Sequence, residues 1–150
     1  MIGPRTLSNT PGALSFFDFE VMVRTIYGEA RAEPYVGKIA VAWVIRNRAE
    51  ADLGKDARPD WWGEGVANVC LAPQQFSCWN ANDLMRPKLL KANSVHLRDC
   101  IQAAWAVLTD EVPDPTHGAT HYYADYIAEP KWAKGKAPTT QIGPHKFYKL

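Results

Sequence analysis

The sequence predicts an α+β domain, predominantly α-helical, with a single small β element near its end. Three observations lead there. The chain has 150 residues, 47% of them hydrophobic, enough for one domain with a real core. Three segments place apolar residues at the spacing of a buried or half-buried helix. Residues 120–148 instead break into short aromatic pieces between glycines and prolines, which suits small strands and irregular structure.

Residues 1–14 read as a Gly/Pro/Ser-containing arm, and the domain is expected to span 15–150 without an internal repeat or linker. Ser15 offers an N-cap, with Asp18 three residues on as a weaker capping box. Behind it Phe19, Met22, Val23, Ile26 and Ala30 keep helical spacing. Pro34 is expected to end this helix, since a residue before proline is pushed out of the helical region. A second helix should run from about Val36 to Ala51. Its centre, Ile39 to Ile45, is apolar on every side and belongs in the middle of a core. A buried strand is the alternative, which the segment's length and alanines disfavour. Asp52 to Gly65 reads as a loop, Val66 to Leu71 as a short helix stopped before Pro73, and Gln74 to Asn80 as a loop or short turn. The third strong helix should run from Ser94, as N-cap, to Leu108, with Val95, Ile101, Ala104, Trp105 and Leu108 as its core stripe.

Charge and composition remove several functions. With 17 basic and 16 acidic residues the net charge is +1, and no helix carries a Lys/Arg stripe of the kind a nucleic-acid binder shows. Ile39 to Ile45, the longest apolar run, is far too short to span a bilayer, so no stable membrane anchor is expected. The N-terminus lacks a basic segment followed by an apolar run, the mark of a secretory signal. The chain is therefore expected to be made in a cytoplasm and to reach any outside substrate by another route. Cys70, Cys78 and Cys100 show no CxxC spacing. They read as reduced, mostly buried thiols, with a Cys70–Cys78 disulfide as the alternative. No nucleophile elbow or phosphate loop is present, and no cofactor is expected.

The first helix carries the sharpest chemical feature. With Phe19 at 0° and about 100° per residue, Met22, Val23, Ile26 and Ala30 fall within about 60° of zero, and Glu29 at about 280°. Glu29 thus lies at the edge of the buried stripe, near the helix end. A partly desolvated carboxyl has a raised pKa and keeps its proton near neutral pH, as a general acid requires. The alternative is a surface residue paired with a nearby Arg or Lys. Glu33, at about 320°, would lie nearer the centre of the stripe. It is either a second carboxylate of the site or the partner of a buried Arg or backbone N–H.

Four blocks then stand in order over about residues 17–148. They are Tyr27-Gly28-Glu29-Ala30-Arg31-Ala32-Glu33 with Gly37 to Arg48, Pro73-Gln74-Gln75-Phe76-Ser77-Cys78-Trp79, Asp114 to Ala124, and Pro130-Lys131-Trp132 with Ile142 to Tyr148. Together they resemble the SleB-like cell-wall hydrolases, which include spore-cortex-lytic enzymes and phage endolysins. The resemblance implies a lysozyme-like fold related to lytic transglycosylases, and a single catalytic Glu that falls on Glu29. It implies cleavage of peptidoglycan between N-acetylmuramic acid and N-acetylglucosamine, as a lytic transglycosylase or a muramidase. Ala32 stands where Gly is usual and Pro144 where Asn is usual; neither touches the proposed acid. The lack of a signal suits a monomeric phage-type lysis enzyme released through a membrane pore, or one carried by a virion.

The remaining candidates are auxiliary. Gln75 and Ser77 could hydrogen-bond substrate acetamido groups or the Glu, or form a polar turn. Tyr122 and Tyr123 face opposite ways if extended, so one could face the core and the other hold Glu29 or a sugar. His121 and His145 stand in the motif's later blocks. Trp61, Trp62 and Trp79 sit in loops where a ring can stack on a pyranose, while Trp43 and Trp105 read as core. His117, His121 and Asp125 have metal-ligand spacing on a helix, but Pro115 and Gly118 argue against a helix there and no HExxH is present. They carry the rival reading, a metal-dependent amidase or peptidase acting on the peptidoglycan stem. A non-enzymatic wall-binding module would fit the aromatics but not the carboxyl.

Overall fold

The structure, a computed structural model, describes residues 15–51, 65–72 and 76–150. The proposed arm, Trp61, Trp62, Gln74 and Gln75 lie outside the described residues. Five helices come first: α1 (Phe16–Ala30), α2 (Tyr35–Ala51), α3 (Val66–Leu71), α4 (Arg86–Lys91) and α5 (Ser94–Leu108). A 3-10 turn, Ser77–Trp79, precedes α4. Strands β1 (His121–Ala124), β2 (Thr140–Ile142) and β3 (His145–Tyr148) close the chain as an antiparallel sheet of order β1-β3-β2.

The caps follow the chemistry of the residues that make them. Ser15 accepts from the Asp18 N–H while Asp18 accepts from the Ser15 N–H, a reciprocal cap. Helix α1 ends at Ala30, earlier than Pro34 requires. The buried Lys38 accompanies the stop: its Nζ donates to the carbonyls of Arg31 and Glu33, satisfying groups that a continued helix would have bonded. Asn93, not Ser94, caps α5, since its side-chain oxygen accepts from the Val95 and His96 N–H groups. Helix α4 was not expected from the sequence. It has one buried apolar residue, Leu89, too few to show a period, though Pro87 in its first turn is a start signal.

The apolar centre of α2 is the middle of the core, with Ala40, Val41, Ala42, Val44 and Ile45 at most 1% exposed. Helices α1, α3 and α5 pack around it, while Phe147 of β3 and Ala119 pack on its Ala40 and Val44. The expected stripe of α5 is partly wrong. Val95 is 81% and Trp105 49% exposed, whereas Leu97, Cys100, Ala103 and Val107 are buried. Cys100, Ala103, Ala104 and Ala106 are buried on α5, which packs on α1 and α2, and small residues of this kind let helices approach closely. Trp105 meets Phe19 edge to face, their centroids 6.2 Å apart. Trp43 is partly buried against the core.

Register divides the sheet into two faces. Tyr122 opposes Phe147 and Ala124 opposes His145 on the face toward α2. His121 opposes Tyr148 and Tyr123 opposes Lys146 on the other face, where Tyr123, Tyr148 and Trp132 form a separate aromatic cluster. All three cysteines are buried free thiols, so no Cys70–Cys78 disulfide forms. Among the described residues, no helix is long and apolar enough to cross a membrane.

Candidate active site

An open cleft of about 360 Å³ lies where the end of α1 meets the 3-10 turn and α4. Gly28, Glu29 and Arg31 form one wall, Ser77 and Cys78 the second, and Asp83, Leu84, Met85 and Lys88 the third. The meeting depends on Gly28. A Cβ there would lie 2.7 Å from Cys78 Sγ, 2.8 Å from its Cβ and 2.9 Å from Leu89 Cδ2. Only a glycine lets the turn and α4 close on α1. Trp79 fixes the turn from the other side, its indole N–H donating to Thr25 Oγ1 on α1 at 2.7 Å. The ring expected in a free loop is thus anchored to the helix.

Glu29 is half-buried at this junction, and Tyr122 reaches it from the sheet, its hydroxyl donating to Oε1 at 2.6 Å. Burial pushes the Glu29 pKa up, and this outweighs four opposing effects. Hydrogen bonds from Tyr122 and Cys78 lower it, as do the more distant charges of Arg48 and His145. The buried Arg48 is held by donation to the Thr120 carbonyl and by the ring of Phe76. Tyr122 titrates well above its ordinary value, first from burial and then from Glu29 itself, so it stays a donor. Burial likewise pushes the Cys78 thiol up, with Glu29 adding to the shift. The site thus holds a carboxyl biased toward its neutral form between two neutral donors. Such a group, open to a cleft, can give a proton to a leaving oxygen and take one back.

Glu33 does not lie deeper in the apolar stripe than Glu29. Because α1 stops at Ala30, Glu33 sits in the following turn, where the helical angle no longer applies. Its carboxylate lies 3.6 Å from His145 Nδ1, across Gly143, whose φ of 57° makes the tight β2–β3 turn. The His145 ring in turn stands edge-on to Tyr122 at 5.3 Å. Glu33 and His145 therefore border the site through Tyr122, not across the cleft.

The other candidates divide. Ser77 is exposed and lines the cleft. Tyr123 and His121 face away from Glu29; His121 packs on Trp132 at 5.1 Å, and its Nδ1 lies 3.0 Å from Thr120 Oγ1. Burial, then the charges of Arg48 and Lys136, push its pKa down to about 4. His117 lies in a turn with φ of 57°, and Asp125 accepts from Gln141, so the supposed helical ligand set does not exist. Among the described residues no group of three potential ligands could hold a metal. Sequence reasoning missed the roles of Gly28, Arg48 and Cys78 around the carboxyl, and the α4 wall altogether. All three residues stand in the motif blocks, where only their contacts give them a role.

Comparison with known proteins adds to this geometry. The profile of a family described as cell wall hydrolase matches residues 32–148. The spore cortex-lytic enzyme of Halalkalibacterium halodurans is 32% identical over 141 residues, 93% of this chain and 37% of that protein. The chain spans less than half the length of the curated relatives it matches. The catalytic domain of the Bacillus cereus SleB protein superposes with a TM-score of 0.64 at 27% identity, covering 96% of this chain and 98% of that one. The catalytic domain of the germination-specific lytic transglycosylase SleB from Bacillus anthracis gives 0.64 at 28%, covering 95% and 100%. The fold is thus the lysozyme-like one of these domains.

Proposed function

Because this chain belongs to the cell wall hydrolase family, we propose that it cleaves peptidoglycan glycan strands between N-acetylmuramic acid and N-acetylglucosamine, with Glu29 as acid and base. The observation that carries this reading is the Glu29 carboxyl, biased toward its protonated form by burial and held at the cleft by Tyr122.

With Oε1 accepting from Tyr122, the proton is assigned to Oε2. Glu29 gives it to the glycosidic oxygen as the bond to C1 of the muramic residue breaks. The leaving sugar departs with a new hydroxyl, and positive charge develops at C1. The Glu29 carboxylate then takes the proton of the muramic 6-hydroxyl, whose oxygen attacks C1. The strand ends in a 1,6-anhydro sugar, and Glu29 regains its proton. This cycle needs one carboxyl. Two facts favour it over hydrolysis by a carboxylate pair. Glu33 is engaged with His145, and Asp83 accepts the Met85 N–H through Oδ1 at 2.7 Å. The transglycosylase name of the Bacillus anthracis relative agrees.

Mass spectrometry of muropeptides after digestion of purified sacculi tests the proposal. New ends lacking one water relative to a reducing sugar are expected. Reducing ends would make the chain a muramidase, and cuts confined to the stem peptide would overturn the reading. The spore cortex-lytic names of the relatives lend no support to a phage-type lysis role.

A further inference from the structure

The cleft is charged on one side. Arg31 follows Glu29 by two residues at the end of α1, and Lys88 faces it from α4. Both are exposed, and neither side chain is held by an ion pair or hydrogen bond to another described residue. Helix α4 adds Arg86 and Lys91 and carries no acid, in a chain whose 17 basic and 16 acidic residues otherwise nearly balance. Among the described residues, Asp83 is the one other acid on the cleft wall, and its own turn engages it. The described wall thus sets Arg31 and Lys88 beside Asp83 and the half-buried Glu29.

The glycan strand has a matching asymmetry. Its two sugars alternate, and only the muramic residue carries a lactyl ether ending in a carboxyl group. That carboxyl is either free or joined to a peptide stem bearing carboxylates of its own. A cationic edge beside the acid can therefore tell one sugar from the next, which an uncharged cleft cannot do by stacking alone. We propose that Arg31 and Lys88 form a carboxylate-binding edge that engages the anionic substituent of the muramic residue and so sets which glycosidic bond lies over Glu29. The guanidinium can take a carboxylate through two parallel hydrogen bonds, and Lys88 adds a mobile point charge. The inference rests on the glycan-cleaving reading of the cleft.

Binding can be measured apart from cleavage by cosedimenting the Glu29→Gln chain with purified sacculi, native or with their carboxyls converted to neutral amides. Exposed pairs of this kind are individually weak, so Arg31→Ala with Lys88→Ala should weaken binding to native sacculi about three- to tenfold. Amidation should weaken the Glu29→Gln chain by a similar factor and leave the variant lacking both cations unaffected. Exchanging the two, Arg31→Lys with Lys88→Arg, should restore binding, and raised salt should erase the difference. Soluble strands stripped of stems by an amidase retain the lactyl carboxylate. If they compete better than intact strands, whose lactyl carboxyls are tied up in amides, the lactyl group is the anion bound; if they compete worse, the stem carboxylates are. Equal sensitivity of both chains to amidation would overturn the proposal. Digestion by the unsubstituted chain separates the two readings. Charge-dependent binding with uncut strands defeats the cleavage reading alone, and strand cutting without the charge effect defeats only the carboxylate edge.

Discussion

Replacing Glu29 by Gln isolates its proton. The amide keeps the shape and an oxygen to accept from Tyr122, which now lies 2.6 Å from Oε1, but it cannot act as an acid. A positioned general acid is worth about 10²–10⁴ in rate, roughly 2.7–5.5 kcal/mol of barrier, so kcat should fall by at least about a hundredfold. Stability should move the other way. Burial raises the Glu29 pKa above its ordinary 4.5, so between that value and the raised one the folded chain binds more protons than the unfolded chain. Stability therefore falls as pH rises through that window. Glu29→Gln removes the loss: it should match the parent below the window and melt higher above it. The assays are release of soluble fragments from sacculi and thermal melting across the acid range. Lysis within tenfold of the parent would refute the assignment of the acid. A melting difference that is absent or reversed at neutral pH would refute the account of its burial.

Glu33→Gln loses a partly exposed pairing with His145, so it should cost less than about 1 kcal/mol in a denaturant melt, slow cleavage and leave the products unchanged. Activity lost as fully as in Glu29→Gln would make Glu33 a direct catalytic partner. Gly28→Ala places a methyl 2.7 Å from Cys78 Sγ and 2.9 Å from Leu89, an overpacking worth about 1–3 kcal/mol. Thermal melting should show the loss, and cleavage should fall with it as the turn and α4 are pushed off α1. Treatment with EDTA should leave lysis intact, because His117, His121 and Asp125 do not form a ligand set. Inactivation by chelator with recovery on adding zinc would revive the amidase reading.

Local signals in the sequence were enough for the long helices. The Ser15/Asp18 cap, the spacing behind it and the all-round apolar centre of α2 are readable because helix caps and burial periods act over a few neighbouring residues. The same spacing placed Glu29 at the edge of a buried face, and alternation along an extended strand sent Tyr122 and Tyr123 to opposite sides. What the neighbours do across the chain could not be read this way. Helix α1 ends before Glu33, where Lys38 takes the Arg31 and Glu33 carbonyls, so the angle that placed Glu33 in the stripe described a helix that had already ended. Val95 and Trp105 keep an apolar period but are exposed, while Leu97, Cys100, Ala103 and Val107 form the face that α5 buries against its neighbours. The environment of Glu29 is the clearest case. Tyr122 meets it across 93 positions of sequence, and Cys78 reaches it only because Gly28 lacks a side chain. Desolvation and hydrogen bonding depend on which surfaces close together in three dimensions. The residue types could suggest an acid, but the packing of α1, the turn and the sheet decides the proton it holds.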